Sequence, residues 1–158
     1  MQPNTTNTAH KKVLVFRELP PDQLARLKAQ HDVTQANPRL PEQVEAFHTA
    51  LATAEGMIGS SYAITAALLA NTAKLKVISS VSVGVDNYAL SELAERGITL
   101  CCTPGVLTET TADTIFSLMM ASSRRLVELA NCVREGRWTR NISEDLFGWN
   151  VNGKKLEI

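Results

Sequence analysis

No G-x-G triplet occurs anywhere in the 158 residues, so the chain holds no glycine-rich loop of the kind that cradles a dinucleotide pyrophosphate. It also lacks an excess of charge of either sign. Lys plus Arg and Asp plus Glu both number 16, which excludes the basic footprint of a nucleic-acid binder. Cysteine is scarce. Cys101, Cys102 and Cys132 form no C-x-x-C pair and read as reduced thiols of a cytoplasmic protein. No apolar run approaches the length of a membrane span, and the polar start MQPNTTNTAHKK has no apolar signal core. Residues 1–10 read as a disordered lead. Of the three histidines, His10 lies in that lead, His31 precedes an edge strand and His48 sits on a helix stripe. No Cys or Asp stands at zinc or triad spacing to any of them, so no metal site and no catalytic histidine is expected.

Apolar residues make up 44% of the chain, enough for a core. Strand and helix patterns alternate. Val13-Leu14-Val15-Phe16 is a continuous apolar run of the kind buried on both faces of a sheet. Pro20-Pro21 opens a first helix carrying Leu24 and Leu27. Residues 31–35 form a polar strand suited to a sheet edge, and residues 41–52 a second helix with Val44, Phe47, His48 and Leu51 along one stripe. Residues 55–59 are a third strand that ends in Ser60-Ser61. The pattern continues with a helix over 64–70 (Ile64, Leu68 and Leu69 inward), a strand over 75–79, a helix over 88–96 with Gly97 as its left-handed exit, and a strand over 98–101. This is an α/β pattern: a flavodoxin-like parallel sheet with helices on both faces, ending near residue 101.

The stretch SSVSVGVDN at 79–87 joins a strand to a helix through small residues. Open α/β sheets bind ligands in such loops, outside the carboxyl ends of their strands. Serines and Gly84 leave the backbone uncovered, so its N–H groups can approach a carboxylate or phosphate. Asp86 or Asn87 would cap the helix that follows. On local chemistry alone, a plain capped turn without a ligand is the preferred reading of the stretch, since such turns are common.

After residue 101 the pattern changes. Thr103-Pro104-Gly105 is a turn, and a single long helix is expected from Thr108 to about Cys132, with Asp113 as a first-turn acid. Its apolar residues cover most of the circumference over the first half, which calls for burial on several sides, against a second domain or a partner chain. A polar loop carrying Trp138, Phe147 and Trp149 follows, and residues 153–158 read as a turn entering another strand.

These residues resemble the first half of a D-isomer-specific 2-hydroxyacid dehydrogenase, of the branch of bacterial glyoxylate/hydroxypyruvate and 2-ketogluconate reductases. The resemblance is carried by SSVSVGVDNY, ERGITL, TPGVLTETTAD, SRRL, GRW and LFGWNVNGKKL, in one order from about residue 12 to 156. It implies a substrate domain over 1–101. It also implies a crossing helix, a dimerisation loop and the first residues of a truncated Rossmann domain over 102–158. By that resemblance, backbone N–H groups of Ser82, Val83 and Gly84 would meet the carboxylate of a small 2-oxo acid, which tips the reading of the loop towards a ligand. Val106, Leu107 and Thr111 would lie near the nicotinamide of NAD(P). Thr111 reads equally as a first-turn polar residue satisfying a free N–H. Residues 108–132 would pair two copies across a two-fold axis. The family's phosphate loop and its catalytic Arg, Glu and His have no counterpart among these residues. No catalytic residue is therefore assigned, and the chain is expected to bind NAD(P) poorly and to be inactive alone. The alternative is a non-catalytic binding or interaction module that pairs through the long helix.

Two other flavodoxin-like functions fail on the residues. A phosphoacceptor receiver needs paired acids after its first strand and an Asp after its third, and a flavin binder needs a Ser/Thr/Gly-rich loop after its first. Here the first strand exits into Arg17-Glu18-Leu19 and the third into Ser60-Ser61.

Overall fold

A computed structural model describes residues 10–156. The disordered lead expected over 1–10 falls, but for His10, outside the described residues. The chain divides into two compact units, one ending at Gly105 and one beginning at Val106.

In the first unit, β1 (Lys12–Val15), β2 (Asp32–Gln35), β3 (Gly56–Gly59), β4 (Val77–Ser80) and β5 (Thr99–Cys101) form one parallel sheet in the order β2-β1-β3-β4-β5. This is the flavodoxin-like order. The helices between strands are α1 (Pro21–Lys28), α2 (Val44–Leu51), α3 (Ala66–Leu69) and α4 (Leu90–Glu95). The chain steps one way from β1 to β2 and the other way thereafter. Right-handed crossovers then put α1 on one face and the later helices on the other. Burial agrees: Val13, Leu14, Val15 and Phe16 are successive residues and all are buried, so both faces of β1 are covered. Each such side chain contributes about 1.5–3 kcal/mol on burial.

The helices differ from the sequence reading in detail. The stripe on α2 buries Phe47 and Leu51, but Val44 and His48 are exposed. The His48 ring stands edge-on to the buried Phe47, with centroids 5.3 Å apart. Residues 41–43 form a 3₁₀ turn before α2. Ile64, Leu68 and Leu69 are buried as expected, although α3 proper spans only Ala66–Leu69. Ile64 instead pairs with Tyr88, accepting from Ala89 N–H (3.0 Å) and donating to the Asn87 carbonyl (2.7 Å). That bridge, at Tyr88, lies directly before α4, which starts only at Leu90. The N-cap is therefore Ala89, with no side-chain cap, and neither Asp86 nor Asn87 fills the role. Gly97 does provide the left-handed exit, at φ 66°.

In the second unit the expected single helix is two, α5 (Thr108–Ser123) and α6 (Leu126–Arg134). Arg125 between them is left-handed, at φ 54°. The Ser123 carbonyl accepts from Trp149 N–H at 2.7 Å instead of continuing the helix ladder, and a Cβ on Gly148 would lie 2.5 Å from that oxygen. Arg125 grips Glu128 through two nitrogens (2.6 and 2.7 Å) and donates to the Asp145 carbonyl at 2.6 Å. Hydrogen bonding to Arg125 holds the Glu128 carboxyl below its ordinary range. The tertiary contact with the 145–149 loop thus breaks a helix that local pattern would continue. The first-turn acid of α5 is Glu109, with Asp113 a turn further on.

The burial expected of this helix is not met within the chain: α5 buries none of its residues, and Phe116 and Leu118 are 60% and 65% exposed. Trp138, Phe147 and Trp149 are exposed as well. The turn expected to enter a strand over 153–158 carries no strand pairing at 154–156 among the described residues; residues 157–158 lie outside them.

Candidate functional site

Parallel strands deliver all their carboxyl ends to one edge of the sheet, and the loops after β2, β1, β3 and β4 lie there in that spatial order. The loop after β4 begins with Val81, whose N–H donates to the Gly59 carbonyl at 2.9 Å and so ties it to the end of β3. Ser80 is buried, and its Oγ lies 2.9 Å from Ser82 Oγ. Ser82 Oγ in turn donates to the Gly84 carbonyl (3.1 Å), and the Ser82 carbonyl accepts from Thr103 N–H (3.1 Å). These bonds fix the curve of the loop through its oxygens and leave its N–H groups over. Among the described residues, nothing accepts from the N–H of Ser82, Val83 or Gly84. Val83 and Gly84 are exposed, and a methyl added to Gly84 would meet only Asp86 Oδ2, at 3.5 Å. Three unspent backbone donors beside one another, two of them on exposed residues, suit an anion.

The structure brings further groups to the same edge that the sequence reading did not single out as a site. Arg17, after β1, donates to Ser60 Oγ, and Arg39, after β2, donates to the Ser61 carbonyl. With Tyr62 they line a cavity of about 200 Å³. The signal that could have found them is the strand order, since ligands collect where the direction of winding reverses, here between β1 and β3.

Val106, Leu107 and Thr111 belong to the other unit, at the start of α5. Val106 and Leu107 are 69% and 58% exposed, and Thr111 N–H is spent inside the helix on the Leu107 carbonyl (2.9 Å). These residues can offer a nicotinamide an apolar flank, but they hold no donor set for a pyrophosphate. Among the described residues, no three His, Cys, Asp or Glu side chains gather as for a metal ion, and no helix is long and apolar enough to cross a membrane. None of the cysteines is bridged; Cys132 is buried, and Cys101 and Cys102 are exposed.

Residues 13–141 match the model of the D-isomer specific 2-hydroxyacid dehydrogenase catalytic domain. The chain belongs to that family. Glyoxylate/hydroxypyruvate reductase B of Citrobacter koseri is 44% identical over 146 residues, 92% of this chain and 45% of the relative. The enzyme of the same name from Klebsiella pneumoniae matches to the same extent. Among solved structures, a Thermus thermophilus protein superposes with a TM-score of 0.74 at 38% identity, over 89% of this chain and 46% of that one. The NADPH-dependent glyoxylate/hydroxypyruvate reductase of Sinorhizobium meliloti, solved with NADP and malonate, gives a TM-score of 0.74 at 27% identity, over 92% and 44%. The chain thus spans about half the length of the relatives it matches.

Proposed function

We propose that this chain supplies the substrate side of an NAD(P)-dependent reductase that turns small 2-oxo acids such as glyoxylate, hydroxypyruvate or 2-ketogluconate into D-2-hydroxy acids. The observation that carries the reading is the set of three unspent N–H groups at Ser82, Val83 and Gly84, on the edge of the sheet where α/β folds bind ligands. There the substrate carboxylate is held by backbone donors. This fixes the C2 carbonyl relative to the protein, and such positioning is much of what an enzyme contributes to a two-reactant step. NAD(P)H, when bound, supplies the hydride. Val106, Leu107 and Thr111 flank its nicotinamide.

In this reading residues 1–101 are the substrate domain, and 102–158 are the crossing helix, a dimerisation loop and the first residues of the dinucleotide-binding domain. Two copies pair through residues 108–132. What supports the pairing is the apolar surface of α5 that the chain leaves exposed at Ile115, Phe116 and Leu118. The three unbridged cysteines support a cytoplasmic setting.

No G-x-G and no counterpart of the family's Arg, Glu and His occurs in the 158 residues, so the chain alone is inactive. Two measurements test the reading. Absorbance at the NADPH band, with glyoxylate and the 158-residue chain, should stay constant; steady NADPH consumption would overturn the claim of inactivity. Calorimetric titration with glyoxylate should give binding that Gly84→Ala weakens, because the methyl sits where the carboxylate approaches. Equal affinity for both proteins would overturn the carboxylate site.

A further inference from the structure

The cavity between the ends of β1 and β3 is not needed to hold a carboxylate at residues 82–84, yet it is built for a second anion. Two guanidinium groups meet there from different loops. Arg17 bonds to the Ser60 hydroxyl and Arg39 to the Ser61 carbonyl. Neither arginine has a carboxylate within 4.0 Å among the described residues, although Glu18 is the very next residue to Arg17; the ion pairs of the described residues are all elsewhere. A guanidinium has five donors, and one bond to a neutral oxygen leaves most of them unspent.

The loop is set up from several sides. Arg39 N–H donates to Asn37 Oδ1 (3.0 Å), and Asn37 N–H to Gln43 Oε1 (2.8 Å), which fixes the turn that presents Arg39. Ser61 is one of two non-glycine residues at positive φ among the described residues, held at 60° beside the cavity. Ser60 follows directly on Gly59, which is paired with Ser80 of β4. The ends of β3 and β4, from which the loops carrying Ser60 and Ser82 leave, therefore stand one strand spacing apart, about 4.8 Å.

We propose that Arg17 and Arg39, over Ser60 and Ser61, bind the distal carboxylate of dicarboxylic 2-oxo acids, so that this site discriminates in favour of substrates with a second anion. The inference rests on the reading of residues 82–84 as the seat of the first carboxylate. Charge-assisted bonds from arginine to a carboxylate are among the stronger hydrogen bonds in proteins, and at a partly open site they raise affinity about tenfold.

The test follows the backbone amide signals of the isotope-labelled 158-residue chain during titration with 2-oxoglutarate and with 2-oxopentanoate, which has the same carbon chain but a neutral tail. Both ligands should move the signals of Ser82, Val83 and Gly84. Only 2-oxoglutarate should also move those of Arg17, Ser60 and Ser61, and it should bind about tenfold more tightly. In the double variant Arg17→Gln, Arg39→Gln, whose side chains are both at the surface, the ratio of affinities should fall to near one. Equal affinities in the unaltered chain, or a preference that survives the double variant, would overturn this proposal and leave the first carboxylate site standing. If neither ligand moves the 82–84 signals, the underlying reading fails, and this one fails with it.

Discussion

Replacing Gly59 by alanine puts a methyl group where the Phe16 ring already is. The added Cβ would lie 2.6–2.7 Å from three ring carbons of Phe16. Carbon atoms rest at about 3.5–4.0 Å, so the ring must retreat by about 1 Å. Phe16 is 2% exposed and stands edge-on to Phe47 at 6.4 Å, and Phe47, fully buried, meets Tyr62 in the same way at 5.6 Å. Overpacking of this kind costs about 1–3 kcal/mol. Each kcal/mol lowers the melting temperature of a domain near this size by about 4–8 °C, so the loss should be at least about 4 °C. Gly84→Ala is the matched control. Its methyl meets nothing closer than 3.5 Å, so its cost should stay within about 0.5 kcal/mol. Thermal and urea unfolding followed by far-ultraviolet circular dichroism measure both variants. Equal midpoints for the two, or a larger loss in Gly84→Ala, would refute the packing argument.

Further outcomes follow from other contacts. Thr65 Oγ1 accepts from Leu68 N–H at 3.2 Å and caps α3; Thr65→Ala should cost about 1 kcal/mol in urea unfolding, and no loss would mean the cap contributes nothing. Glu55 is held below the ordinary glutamate value of 4.5, chiefly by its hydrogen bond to Lys11 (3.2 Å between charged atoms). A depressed carboxyl stabilises the fold fully above that ordinary value and loses its contribution as pH falls through the lowered one. The stability gap between the unaltered chain and Lys11→Met should therefore close on acidification, and a gap that does not change with pH would contradict the assignment. Phe116→Glu places a charge on the exposed face of α5 and should convert a dimer to a monomer in light scattering; a monomer before the substitution would remove the proposed pairing.

The parts of the fold that local chemistry dictates could be read from the sequence. An unbroken run at Val13-Leu14-Val15-Phe16 can only be buried on both faces, and a polar strand at 32–35 belongs at an edge, where β2 lies. Gly97 could be read because a positive φ selects glycine. Where distant residues decide, the reading failed. The break after Ser123 depends on Trp149 taking its carbonyl and on Gly148 allowing the approach, contacts made far along the chain. The Ala89 cap depends on Ile64 pairing with Tyr88. At the candidate site, residues 82–84 are adjacent in sequence and drew attention by themselves. Arg17, Arg39 and Ser60 meet only through the strand order, so composition and spacing did not reveal them.

The most direct test of the central claim is the amide spectrum of the chain with glyoxylate, a ligand with one carboxylate and almost nothing else. If residues 82–84 seat that carboxylate, the Ser82, Val83 and Gly84 signals shift together in a saturable way, and those of Lys12 and Gly56, at the opposite, amino ends of β1 and β3, do not. A spectrum that glyoxylate leaves unchanged at those three residues would contradict the account, whatever the chain's ancestry.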